Sequence, residues 1–193
     1  STVLIKGGEI IADKYGLYAG SKSSVRIESG RITAITAGEK GTAIMLSNCV
    51  AAEILDGEFT GESRGIYLEA GNAKISGGTF SGYCGAASGD KTAIFQLTGG
   101  TFVGTSESLR GGNGKPINWL AEGCCYYEFE SGKIVPSASM DNYYWKTSVT
   151  VGECNHSLWE DWTFDEEDNH SHVCQGCGKT ESGPHQWDEN KRC

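Results

Sequence analysis

AKISGGTF at residues 73–80 and FQLTGGTF at residues 95–102 are one eight-residue pattern repeated 22 residues apart: apolar, variable, apolar, variable, small, Gly, variable, apolar. Outward from this pair the pattern recurs as AEILDGEF (52–59), VRIESGRI (25–32) and VLIKGGEI (3–10) on one side, and as YEFESGKI (127–134) on the other. The shared glycines are Gly8, Gly30, Gly57, Gly78, Gly100 and Gly132, spaced 22, 27, 21, 22 and 32 residues apart. Self-similarity at about 20 to 50 residues marks stacked repeats, here with loop insertions.

Aligned on these glycines, the segments form columns. Three residues before the glycine stand Ile5, Ile27, Ile54, Ile75, Leu97 and Phe129, and two after it stand Ile10, Ile32, Phe59, Phe80, Phe102 and Ile134, all apolar. The column just after the glycine reads Glu9, Arg31, Glu58, Thr79, Thr101 and Lys133, and the one four before it Leu4, Arg26, Glu53, Lys74, Gln96 and Glu128. Alternation at period two is the mark of a strand with one buried face, so the second pair of columns faces solvent, with opposite charges adjacent at Glu9/Arg31/Glu58 and Arg26/Glu53/Lys74.

Further short strands are expected at residues 16–18, 43–46, 65–68 and 117–120. Two or three short strands per unit of about 22 residues, stacked in register, describe a parallel β-helix with Ile and Phe ladders as its core. The GGTF and DGEF segments resemble the glycine-rich rungs of right-handed β-helix domains in bacterial surface proteins. The fold expected is therefore all-β: a short right-handed parallel β-helix of about six rungs over residues 1–137, a capping or connecting strand over 138–152, and a small zinc-stabilised, zinc-ribbon-like module over 153–193. Tyr143, Tyr144 and Trp145 are read as the aromatic cover of the open solenoid end, which would otherwise expose core and strand edges.

The longest spacing, between Gly100 and Gly132, is read as an inserted loop, GTSESLRGGNGKPINW. Insertions in solenoids map to loops on one face, so Arg110, Asn113, Lys115 and Trp119 are the candidate ligand-binding residues there, against the plainer reading of a surface loop. Cys49, Cys84, Cys124 and Cys125 are read as buried free thiols. Cys49 and Cys124 both lie eight residues before a glycine, but three rungs would separate them by about 14 Å, beyond the reach of a disulfide.

All four histidines and four of the eight cysteines fall within the last forty residues, as Cys154-x-His156, His170-x-His172-x-Cys174-x-x-Cys177, His185 and Cys193. A C-x-x-C pair sets two thiolates one tight turn apart, and flanking histidines complete the four ligands of structural zinc. A segment this short also needs a metal or disulfides to fold. Cys174 and Cys177 are the first choices as ligands and His156 and His185 the next; Cys154, His170 or His172 can replace either histidine. Two disulfides among Cys154, Cys174, Cys177 and Cys193 are the rival reading, but they leave the histidines unexplained. A catalytic zinc would need an open position and a base, nominally from residues 165–168, a run more simply read as a solvated loop. The order C-x-H, Trp, His, C-x-x-C-G, H-x-W resembles short zinc-binding repeats found in tandem near the ends of secreted and wall-associated proteins of Gram-positive gut bacteria. It is matched by Cys154, His156, Trp159 or Trp162, His170, Cys174, Cys177, Gly178, His185 and Trp187. Cys193 resembles the first Cys of a further C-x-x-C, so the module is expected to be cut short, and the start at Ser1 is read as that of a piece of a larger protein.

Charge excludes some partners. The chain carries a net charge of -9, and residues 154–193 hold nine Asp or Glu against three Lys or Arg, so phosphate is repelled and nucleic acid is not an expected partner. No apolar run approaches a membrane-spanning length. Carbohydrate-cleaving β-helices use clustered carboxylates. Here Asp13, Asp56 and Asp90, the aspartates before residue 140, fall at different phases of the repeat, and no histidine precedes residue 156. Glu9, Glu58 and Asp56 remain as carboxylate pairs, more simply read as an outward charge ladder. The expectation is a non-catalytic adhesive or structural module of a secreted or cell-surface protein, with a structural Zn2+ and a host or cell-wall glycan or protein as partner. The alternative is a carbohydrate-active β-helix enzyme, a polysaccharide lyase or hydrolase, or its accessory domain.

Overall fold

The computed structural model describes residues 1–35, 41–89, 92–112, 115–140, 142, 144–164 and 169–184. The chain winds into a β-solenoid of about five turns with three parallel faces. β1 (Thr2–Ile5), β2 (Glu9–Ala12) and β3 (Tyr15–Ala19) make the first turn. β4 (Ser24–Ile27), β5 (Arg31–Ala34) and the start of β6 (Thr42–Ile54) make the second. The end of β6, then β7 (Glu58–Gly61) and the start of β8 (Arg64–Ile75), make the third. The fourth runs from the end of β8 through β9 (Thr79–Ser88), and the fifth through β10 (Ala93–Leu97) and β11 (Gly100–Arg110).

Register gives the ladders their physical content. On the first face Ile5, Ile27, Ile54, Ile75 and Leu97 stand in line. On the second, Ile10, Ile32, Phe59, Phe80 and Phe102 do. Ile27, Ile54, Ile75, Leu97, Phe59, Phe80 and Phe102 are fully buried, and the phenyl rings stack with centroids 4.9 Å apart for Phe59–Phe80 and 5.2 Å for Phe80–Phe102. Like thus packs on like at the rung spacing, which keeps one continuous core close-packed. Outside run the charge ladders: Arg31 reaches Glu58 at 2.8 Å and Glu9 at 3.9 Å, and Arg26 pairs with Glu53. The glycines mark the corner between the first and second faces. Gly57 has φ +132, and a Cβ there would lie 2.7 Å from the Gly30 carbonyl oxygen, so the stacked corner excludes a side chain.

The sixth segment departs from the expectation. YEFESGKI does not join the parallel stack: Gly132 closes a turn in which its N–H donates to the Glu128 carbonyl and Glu128 N–H to that of Lys133. Phe129 is exposed, and the isoleucine/leucine column ends instead at Leu120, bridged to Leu97. Residues 117–120, expected as a strand, follow Pro116 into a 3-10 helix (Pro116–Trp119). Proline fixes φ and lacks the N–H a ladder needs, so the regular ladder gives way there and returns only as the single parallel bridge of Leu120 to Leu97.

Each face is then closed. β13 (Tyr144–Trp145) lies antiparallel on the third face at the end of β11. β14 (Val149–Glu153) lies antiparallel on the second, placing Val149 opposite Phe102, and pairs on its other edge with β12 (Cys124–Glu128). The remaining chain forms a separate three-stranded sheet of β15 (Thr163–Phe164), β16 (Asn169–Val173) and β17 (Thr180–Pro184). Among the described residues no helix is long and apolar enough to cross a membrane.

Candidate metal centre

Cys154 follows β14 directly, and its N–H donates to the Gly123 carbonyl at 2.9 Å. His156 takes a left-handed conformation at φ +53, which doubles the chain back beside Cys154. From the other side β16 delivers Cys174, where a knuckle begins. The Cys174 N–H donates to the Lys179 carbonyl and the Gly178 N–H to the Cys174 carbonyl, each at 2.8 Å, with Gly178 at φ +76. This turn carries Cys177 back over Cys174, as the C-x-x-C spacing requires.

The four side chains converge. Their donor atoms all lie within 4.8 Å of one another, with Cys154 and Cys174 Sγ 3.6 Å apart and Cys177 Sγ 3.5 Å from His156 Nδ1. A tetrahedral ion with metal–sulfur bonds of about 2.3 Å has ligand–ligand edges of about 3.8 Å, so the spacing suits one ion held by three sulfurs and a nitrogen. It is far too long for a disulfide, and the seven described cysteines are all free. Burial acts to raise the thiols. In Cys174 the opposing hydrogen bonds prevail, from His156, the N–H groups of Cys177 and Gly176, and Cys154, and lower it to about 7. Burial dominates for Cys154 and Cys177, which are pushed up to about 11. One sulfur is thus prepared to ionise first, and a cation would draw the proton from the others.

The floor of the centre comes from the segment read as the sixth rung. Cys125, Ile134, Cys154 and Cys174 form one buried cluster. A Cβ on Gly176 would meet Ile134 Cγ2 at 2.7 Å and Cys125 Cβ at 3.3 Å, so the knuckle lies flat against the solenoid end. The Tyr127 hydroxyl donates to the Glu153 carbonyl at 2.6 Å and accepts from the Asn155 N–H at 3.0 Å, which fixes the residues on either side of Cys154. Sequence reading missed Cys125, Tyr127 and Ile134 as supports because they continue the repeat's alternation and carry no spacing signal toward Cys174.

Of the candidate ligands, Cys154, His156, Cys174 and Cys177 are brought together. His170 is placed elsewhere, its ring edge-on to Trp162 with centroids 4.4 Å apart, and His172 stacks between Trp159 and Trp162 at 4.1 and 3.7 Å. By strand alternation residues 170, 172 and 174 share a parity, so the histidines are set back from Cys174 along β16, by about 3.3 Å per residue, and there meet the indoles. Trp159 also stacks on His156 at 5.7 Å, so a column of rings runs from the centre to Trp162. His185 and Cys193 lie outside the described residues, as do Trp187, Tyr143 and residues 165–168.

The residues read as a ligand-binding loop take different places among the described residues. Residues 107–110 are a rung of the third face, leaving Arg110 exposed at its end. Lys115 precedes the 3-10 helix, and Asn113 lies outside the described residues. Trp119 is 3% exposed and packs on Phe95 with centroids 4.8 Å apart, so it belongs to the core, where burial of an indole stabilises most. No family model matches the chain, and neither a curated protein nor a solved structure is significantly similar to it.

Proposed function

We propose that the chain is a non-catalytic adhesive or structural module of a secreted or cell-surface bacterial protein, and that Cys154, His156, Cys174 and Cys177 hold a structural Zn2+. The observation that carries this is a four-donor set packed against the solenoid end: three sulfurs and one nitrogen fill a tetrahedral shell and leave no open position for a substrate or water. The ion then fastens the last sheet to the solenoid, whose ladders make a rigid surface for a host or cell-wall glycan or protein. Among the described residues no other group of three or more His, Cys, Asp or Glu is close enough to hold an ion. Asp56 and Glu58 stand beside Arg31, which pairs with Glu58, an arrangement suited to a charge ladder.

Two measurements test the reading. Metal analysis of the purified chain is expected to return one equivalent of zinc, and less than about half an equivalent would sink the metal assignment. Incubation with uronate-containing polysaccharides is expected to leave them intact, whereas release of unsaturated or reducing ends would replace the adhesive reading with an enzymatic one.

A further inference from the structure

Four arginines lie among the described residues, and they divide into two pairs. Arg26 and Arg31 are taken up by the charge ladders, on Glu53 and Glu28 and on Glu58 and Glu9. Arg64 and Arg110 both line one recess of about 260 Å³, at the corner between the second and third faces, completed by Glu62, Ser63 and Tyr83. The stacked corners are tied by backbone bonds, Tyr83 N–H to the Glu62 carbonyl at 3.0 Å and Cys84 N–H to that of Ser63 at 2.9 Å. The recess exists because of what the register stacks. Arg64, Cys84 and Glu107 occupy one column, and Tyr67, Ala87 and Arg110 the next but two, so small residues on the middle rung separate large ones above and below.

The two guanidiniums are held differently. Arg110 is anchored from behind by the largely buried Glu107, with Nη2 donating to Oε1 at 2.9 Å and Nε to Oε2, while its own side chain is 47% exposed. Arg64 lies over the Tyr67 ring, 4.7 Å from its centroid, and forms no ion pair with a carboxylate among the described residues. Arg64 is thus a guanidinium not neutralised by an ion pair among the described residues, and its contact with an anion has to outweigh both Glu62 at the rim and the repulsion from the chain's net charge of -9. Beside it Tyr83 leaves 53% of its surface exposed, an aromatic plate at the rim.

We propose that this corner recess binds a carboxylated sugar ring, a uronate residue of an acidic glycan, without cleaving it. Arg64 pairs with the carboxylate, Arg110 presents its remaining N–H groups from a fixed fork, and Tyr83 stacks on the sugar face. The volume admits one such ring, so a polymer would be gripped there through one of its residues. The inference rests on the adhesive reading and locates the surface through which it acts.

The test is amide NMR of the full zinc-loaded chain titrated with D-glucuronate, with D-glucose and acetate as controls. Saturable shifts at the amides of Glu62, Arg64 and Tyr83 are expected with glucuronate, with none from glucose and at least tenfold weaker ones from acetate. Arg64→Gln and Tyr83→Ala should each weaken glucuronate binding by about tenfold or more, while Arg31→Gln, away from the recess, leaves it unchanged. Equal response to acetate, equal response to glucose, or an unaltered affinity in Arg64→Gln would overturn the site. Zinc content and strand circular dichroism of each variant separate this from misfolding. If glucuronate fails to bind but acidic polymers are still retained uncut, the recess is refuted and the adhesive reading stands; if polymers are cut, the adhesive reading itself is lost.

Discussion

At the scale of single residues, the two parts of the chain respond to different physics. Phe80 is fully buried between Phe59 and Phe102, so Phe80→Ala removes two stacking contacts and leaves a cavity. A loss of about 3–5 kcal/mol in denaturant unfolding is expected. Arg26→Ala, in the exposed charge ladder, should cost less than about 1 kcal/mol by the same measurement. Equal losses would mean that the ladders do not carry the stability. In the candidate metal centre the contrast is between the proposed ligands and the histidines set apart from them. Cys174→Ser and Cys177→Ser are expected to purify with little metal, whereas His170→Ala, whose ring lies against Trp162, should keep the full complement. Metal retained by Cys174→Ser and lost by His170→Ala would reverse the assignment. The C-x-x-C pair was legible because its spacing alone brings two sulfurs together. The place of His156 beside the pair, with His170 set apart from it, was not, because it depends on a left-handed turn at His156 and on how far along β16 His170 lies from Cys174.

Among the elements, β14 bears the most consequence for its length. Five residues close the second face against β11, pair with β12 and lead into Cys154. Proline has no N–H and is not tolerated inside a doubly paired strand. Thr150→Pro should therefore open the solenoid end at a cost of about 1–3 kcal/mol for each backbone group left unsatisfied. Hydrogen exchange read at β11 and β12 should speed up, while β4 and β5 remain protected. Unchanged protection at β11 would show that the cap is dispensable. The first- and second-face strands of the five turns were readable from period-two alternation, since each buries one face, whereas the third-face rung at residues 107–110 read as a loop. The sixth segment has the same alternation and a different fate, because alternation reports a buried face but not the partner that buries it. Ile134 is buried against the Cys/His cluster rather than beneath Phe102.

For the whole molecule, the proposed metal joins a self-sufficient solenoid to a small sheet with little apolar core of its own. Chelation is expected to alter tryptophan fluorescence strongly, because Trp159 stacks on His156 and His172, while the strand signal in circular dichroism persists. A thermal scan should then show the last sheet melting ahead of the solenoid. A single transition at an unchanged temperature would argue that the module folds without an ion. The amino-acid sequence by itself determined the solenoid, its core ladders and the Cys174/Cys177 nucleus of the candidate metal site, because these follow from local periodicity and from spacing along the chain. Tertiary structure alone decided where the stack ends, that Cys154 and His156 lie beside the C-x-x-C pair, that Cys125 and Ile134 lie beneath it, and that Arg64, Tyr83 and Arg110 share one recess. Those depend on residues tens of positions apart meeting across rungs, a register that no local pattern encodes.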